Sequence, residues 1–265
     1  MEEEFTIHIV IMLLVGLAAG CLGAMAGLGG GVVMIPALQL VAKFDLPQVI
    51  GTTLFAVIFT SLSAAQGHYR AGNVRLRSAG YAALGGLIGV LLGSYVFVKY
   101  LSGSFALLEI ALGLFFGFTT YRMGKDAYGE FFGKKEVAEA NAKNRENVPA
   151  LLGLGLFTGS LTGMLGIGGG MIFTPGFMFL GQMSPQVAVG TTMVAMLPLA
   201  LSGGLIKLYQ GYVNLPAGIM LGLGTIVGAQ IGVWISNRIS PALFKVLFTL
   251  LFAFLALDYL LPHLP

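Results

Sequence analysis

Residues 27–36 read Gly-Leu-Gly-Gly-Gly-Val-Val-Met-Ile-Pro, and residues 166–175 read Gly-Ile-Gly-Gly-Gly-Met-Ile-Phe-Thr-Pro. A single shift of 139 positions lays one on the other without a gap. It also places Gly51-Thr52-Thr53 on Gly190-Thr191-Thr192, Gly72 on Gly211, and Gly85, Gly89 and Gly93 on Gly224, Gly228 and Gly232. Between residues 20 and 53, eleven of 34 positions are identical under this shift. Shared hydrophobicity would match Leu with Val, not one glycine with another. The chain is an internal duplication, with repeats over 1–121 and 148–265 joined by a polar linker over 122–147.

The medium follows from composition. The chain of 265 residues is 57% hydrophobic and 9% charged, with a mean hydropathy of +0.90, against the roughly 25% charged content of soluble domains. So much apolar surface requires a bilayer. Apolar runs near the ~20 residues of a crossing fall at about 7–26, 48–66, 78–98, 104–121, 149–165, 187–206, 215–236 and 242–261. Two shorter runs, Val32–Ala42 and Met171–Leu180, follow the glycine clusters. At ~1.5 Å per residue they are too short to cross comfortably, and read as half-helices or re-entrant segments. The expectation is an all-α polytopic protein of the cytoplasmic membrane, with two inverted homologous repeats.

Inversion is read from charge. The loop from His68 to Arg77 carries Arg70, Arg75 and Arg77, and the linker carries Arg122, Lys125, Lys134, Lys135, Lys143 and Arg145. Two crossings separate these loops, so both can lie on the cytoplasmic side, as basic loops prefer. Both termini then lie outside, each repeat crosses an odd number of times, and the second copy is upside down. Lys207 falls outside, a mild violation of the rule.

Three consecutive glycines inside a bilayer are costly unless they line a cavity or are covered by protein. Here each cluster opens a short helix. A helix N-terminus carries unpaired N–H groups and a partial positive charge, and glycine permits close approach to the backbone. Two such ends converging near the midplane would bind an anion without a charged side chain. The candidate substrate-binding residues are therefore Gly29, Gly30, Gly31, Pro36, Thr52 and Thr53, with their mates Gly168, Gly169, Gly170, Pro175, Thr191 and Thr192. The competing reading is that these glycines serve only helix packing, which is the reading taken for Gly85, Gly89, Gly93 and their mates, four apart on one face. A nucleotide loop fails on context, because no strand precedes Gly27.

Other polar residues form no catalytic set. Cys21 is the single cysteine, which excludes an internal disulfide, and the acidic start Glu2-Glu3-Glu4 is unlike a secretory leader. His8, His68 and His263 lack metal-ligand spacing. Glu109 lies inside an apolar run and could relay protons or sit at the interface. Tyr95, Tyr100, Trp234 and Tyr259 suit an interfacial belt. No cofactor, metal or nucleic-acid partner is expected. The partners are a small anion and the lipid bilayer, with the oligomeric state left open.

The duplicated glycine clusters, their downstream prolines and the paired Gly-Thr-Thr motifs resemble the TauE/SafE sulfite exporter family, also called the 4-toluene sulfonate uptake permease family. The resemblance covers nearly the whole chain apart from the linker and extreme ends. It implies a secondary transporter, in the sense of an exporter, moving sulfite or an organosulfur or sulfonate anion. An anion channel shares the inverted repeat and broken helices, and saturable turnover would separate the two. A membrane enzyme lacks the residues it would need.

Overall fold

The computed structural model describes residues 2–103, 105–131, 147–236 and 238, with short stretches between 249 and 261. Nine α-helices lie within these residues: α1 (Glu2–Ala26), α2 (Gly31–Ala42), α3 (Leu46–Arg70), α4 (Leu76–Val96), α5 (Phe105–Phe131), α6 (Val148–Leu165), α7 (Gly170–Leu180), α8 (Pro185–Tyr209) and α9 (Leu215–Ser236). A π-helical turn, Phe97–Leu101, continues α4. Six helical stretches are long and apolar enough to cross a bilayer: Ile9–Ala26, Leu46–Arg70, Leu76–Leu101, Val148–Leu165, Pro185–Tyr209 and Leu215–Ser236. They match six of the eight expected runs. The run at 104–121 forms the first part of α5, which continues into the polar segment as far as Phe131. The run at 242–261, and Tyr259 and His263, lie largely or wholly outside the described residues.

The short runs are the half-helices α2 and α7, of 12 and 11 residues. Local chemistry fixes their ends. Gly30 and Gly169, their N-caps, sit at φ of 81° and 71°, a left-handed conformation that glycine adopts without a Cβ clash. Every described glycine with positive φ has its mate in the other repeat: Gly27 with Gly166, Gly29 with Gly168, Gly30 with Gly169, and Gly72 with Gly211. Even the two non-glycine exceptions, Lys43 and Gln182, correspond. The duplication is thus one of backbone conformation as well as sequence.

Spatially the chain forms two compact units, one of Met1–Phe97 with Ala140–Asn237 and one of Val98–Glu139 with Arg238–Pro265. Each draws on both repeats. In the first, small residues let backbones meet. A Cβ on Gly85, Gly89 or Gly93 of α4 would run into the carbonyls of Leu152, Leu156 and Ser160 of α6. A Cβ on Gly224, Gly228 or Gly232 of α9 would run into those of Leu13, Leu17 and Cys21 of α1. The packing role expected of these glycines is what they perform, and each pair joins one repeat to the other. Residue numbers rise together along both pairs, so α4 runs parallel to α6 and α1 parallel to α9.

The centre is α3 against α8. Leu54 meets Gly203, and Phe55 and Ile58 meet Gly204, while Val57 and Met196 both reach Gly29 and Gly168. Leu54 meets Gly203 whereas His68 meets Gly190, so numbers rise on one helix as they fall on the other and this pair is antiparallel. Phe55, Phe59 and Gly67 of α3 face Gly218, Gly222 and Val233 of α9 in parallel register. Gly86 and Val90 of α4 likewise face Leu199 and Gly203 of α8. Helices α1, α3 and α9 therefore run one way, and α4, α6 and α8 the other. Outward faces remain apolar, with Leu84, Ile88, Leu91 and Tyr95 of α4 and Leu223, Val227 and Trp234 of α9 exposed, as lipid contact requires.

In the second unit Gly117 of α5 lies near Ala256, and Gly124 near Thr249, an antiparallel register. Glu109 is half-buried on α5.

Candidate functional site

The two glycine loops meet. A Cβ on Gly31 would lie 3.2 Å from the Gly166 carbonyl oxygen and 3.3 Å from that of Ile167. A Cβ on Gly170 would collide with the Gly27 carbonyl. Gly29 and Gly168 face the same two side chains, Val57 of α3 and Met196 of α8, which are themselves repeat mates. Gly29, Gly30 and Gly31 with Gly168, Gly169 and Gly170 thus form one buried cluster where both half-helices begin.

The first helical bonds of α2 run from Val33 and Met34 to the Gly30 carbonyl, and those of α7 from Ile172 and Phe173 to the Gly169 carbonyl. The amides ahead of them point out of the helix start, where a partial positive charge accumulates. Pro36 and Pro175 lie inside the half-helices. Lacking an N–H, each frees a carbonyl one turn earlier, at Val32 and Met171. Both prolines are half-buried and sit in the second turn, beyond the cluster itself.

The threonines divide into two roles. Thr52, Thr53, Thr191 and Thr192 are all fully buried. The Thr52 hydroxyl oxygen accepts from the backbone N–H of Asn214 at 2.9 Å, and that of Thr191 accepts from Arg75 at 3.0 Å. Each ties its helix to the loop before α9 or α4. Thr53 donates back to its own helix, 2.8 Å from the Val49 carbonyl. Thr192 lies 3.1 Å from the Thr174 hydroxyl, which is 3.4 Å from the Gly27 carbonyl. Thr192 is therefore the member of the four linked to the glycine loops.

Sequence reasoning missed Thr158, Thr162 and Thr174. A Cβ on Gly169 would lie 2.5 Å from Thr158 Cγ2 and 2.6 Å from Thr162 Oγ1. Thr162 donates to the Thr158 carbonyl at 2.8 Å, whereas the Thr158 hydroxyl is buried without a hydrogen-bond partner. Their mates in the first repeat are Ala19, Gly23 and Ile35, so the α7 start is the more polar one. The signal available was two threonines four apart on one helix face, just before Gly166. Among the described residues no cluster of His, Cys, Asp and Glu could hold a metal ion.

Six helices long and apolar enough to span a bilayer, with two half-helices between them, define a multi-pass membrane protein. The family profile described as "Sulfite exporter TauE/SafE" matches residues 12–259, and the chain belongs to that family. It is 31% identical to "Probable membrane transporter protein YdhB" of Bacillus subtilis (strain 168), over 84% of this chain and 87% of the relative. It is 29% identical to YunE of the same organism, over 84% and 86%. An archaeal relative, "Probable membrane transporter protein MJ0441" of Methanocaldococcus jannaschii, is 24% identical over 88% of each chain. These are transporters by name, which sets this chain among transporters rather than enzymes.

Proposed function

We propose that the protein is a secondary transporter of the cytoplasmic membrane that exports a small oxyanion, either sulfite or an organosulfur or sulfonate anion. The observation that carries this reading is the meeting of two half-helix starts at left-handed glycines, beside Thr158, a residue whose hydroxyl has no hydrogen-bond partner. The amides of two helix starts and a spare hydroxyl suit a compact anion with several acceptor oxygens. The Thr162 hydroxyl at Gly169, and the Thr174 and Thr192 hydroxyls at Gly27, favour docking nearer the α7 start. The candidate set remains Gly29, Gly30, Gly31, Pro36, Thr52, Thr53, Gly168, Gly169, Gly170, Pro175, Thr191 and Thr192, with Thr158 added.

The repeats are read as inverted in the bilayer, with the basic loops at His68–Arg77 and 122–147 on the cytoplasmic side. Supporting this, α1, α3 and α4 run opposite to their mates α6, α8 and α9. An inverted pair with broken helices at its centre is a recurrent basis for alternating access.

Binding of sulfite, thiosulfate, taurine, sulfoacetate and sulfate to purified protein, measured by calorimetry, tests the substrate class. Saturable binding of a sulfur oxyanion, lost in Gly169→Val, is the expected result. Binding of none of the five, or equal binding by the variant, would overturn it.

A further inference from the structure

The 139-residue shift also superposes His68, in the last turn of α3, on Lys207, in the last turn of α8. His68 is 1% exposed and Lys207 0%. The His68 Nε2 atom lies 3.2 Å from the Ala24 carbonyl oxygen, leaving Nδ1 without a hydrogen-bond partner. Lys207 Nζ has none either. It rests over the Phe97 ring, 2.9 Å from the centroid, with the Tyr212 ring at 5.8 Å. No carboxylate is among the buried side chains described.

The two residues occupy equivalent positions at opposite ends of the core. Helices α3 and α8 are antiparallel and approach each other at Val57 and Met196, eleven residues before His68 and Lys207 respectively. At 1.5 Å per residue each basic group is about 16 Å from that centre, in opposite directions. Each also adjoins the Gly-Thr-Thr motif of the other repeat. A Cβ on Gly190 would lie 2.9 Å from His68 Cβ, and the next residue, Thr191, holds the Arg75 amide. At the far end Tyr212 donates its N–H to the Lys207 carbonyl at 3.0 Å. Its own carbonyl closes on Gly51, next to Thr52.

A buried cationic nitrogen without a counter-charge is strongly disfavoured, yet both copies of the repeat keep a basic residue there. The contact with Ala24 uses only one ring nitrogen of His68, and the Lys207 ammonium meets only the Phe97 and Tyr212 rings, so each side chain keeps hydrogen-bonding capacity to spare. We propose that His68 and Lys207 are anion-docking residues at the two ends of the α3–α8 core, engaging a small oxyanion as it passes between each membrane face and the glycine cluster. Lys207 supplies an ammonium on the outer side, and His68 supplies its second ring nitrogen, a donor when the imidazole is protonated, on the cytoplasmic side. The inference rests on the reading of the chain as an anion transporter with inverted repeats.

The test is uptake of radiolabelled sulfite by the full chain in right-side-out and inside-out vesicles. Lys207→Gln is expected to raise the half-saturating sulfite concentration about tenfold from the outer face, the loss of one charged hydrogen bond, with less than a twofold change from the inner face. His68→Gln is expected to do the reverse, and Lys207→Arg to keep most of the outer-face affinity. Sulfite-induced stabilisation against thermal unfolding of detergent-purified protein provides a second readout, reduced in both Gln variants and retained in Lys207→Arg. Parent-like half-saturation on both faces in both Gln variants would overturn the docking role. So would equal losses on both faces, which a general packing defect produces. No sulfite uptake by the parent protein, from either face, would instead overturn the sulfite reading and this inference with it.

Discussion

The hydroxyl oxygen of Thr52 holds the backbone N–H of Asn214 at 2.9 Å, and its mate Thr191 does the same for Arg75 at 3.0 Å. Neither residue contributes its oxygen only to a ligand, since each anchors the loop that starts the next helix of the opposite repeat. Thr52→Val and Thr191→Val would therefore leave a half-buried backbone N–H without this partner and cost about 1–3 kcal/mol of stability each. Thr→Ser at either site keeps the oxygen and is expected to preserve most of that stability. Thermal unfolding of the four purified variants checks this, and parent-like melting of the Val variants would remove the anchoring role.

Thr158 offers the cleaner probe of binding. Its hydroxyl has no partner to lose, and its mate Ala19 has no hydroxyl. Thr158→Val is expected to fold at least as well as the parent while weakening sulfite binding about tenfold. Unchanged affinity by calorimetry would remove Thr158 from the site.

Gly29 and Gly168 both look onto the Met196 methyl. Alanine there must tolerate a left-handed backbone, at about 1–2 kcal/mol, and must displace that methyl. Gly168→Ala is expected to slow transport, with partial rescue by adding Met196→Ala. A double-mutant cycle on uptake rate checks the coupling. Strict additivity would mean that backbone strain alone accounts for the loss.

The close-packed helix pairs predict a sharp contrast among glycines. Gly89→Ala and Gly228→Ala place a Cβ against the Leu156 and Leu17 carbonyls, and backbone cannot yield as a flexible side chain can. Overpacking of this kind costs about 1–3 kcal/mol or more. Gly80→Ala, with nothing within 4 Å of the new Cβ, is expected to be neutral. Melting temperatures of the three variants decide it, and a Gly89→Ala protein as stable as Gly80→Ala would contradict the register.

The inverted arrangement is checked by reporter fusions. A reporter after Gly72 and one at Lys134 are expected on the cytoplasmic side, and one after Gly211 on the outer side. Finding the Gly72 and Gly211 fusions on one side would refute inversion.

Much of this was legible because glycine and proline are read locally. The left-handed turns at Gly30 and Gly169, the half-helices they open, and the packing stripes of α4 and α9 follow from residue type and spacing, with helix boundaries shifted by a residue or two. The boundary after α4 was obscured, because the chain passes from α-helix into a π turn at Phe97 without a breaker. Identities between the repeats carry no mark of Thr158, Thr162 and Thr174, whose mates are Ala, Gly and Ile.

By itself the sequence determined the duplication, the membrane class and the position of the half-helices. Each depends on composition or on short-range backbone preference, which act within a few residues. Only the tertiary structure decided that α4 pairs with α6 and α1 with α9 across the repeats, and that the Thr52 and Thr191 hydroxyls serve loops of the opposite repeat. It also revealed that His68 and Lys207, equivalent under the 139-residue shift, are both buried. Burial and partner choice depend on what distant segments bring alongside, and a linear pattern carries no record of which carbonyl or ring will lie beside a given side chain.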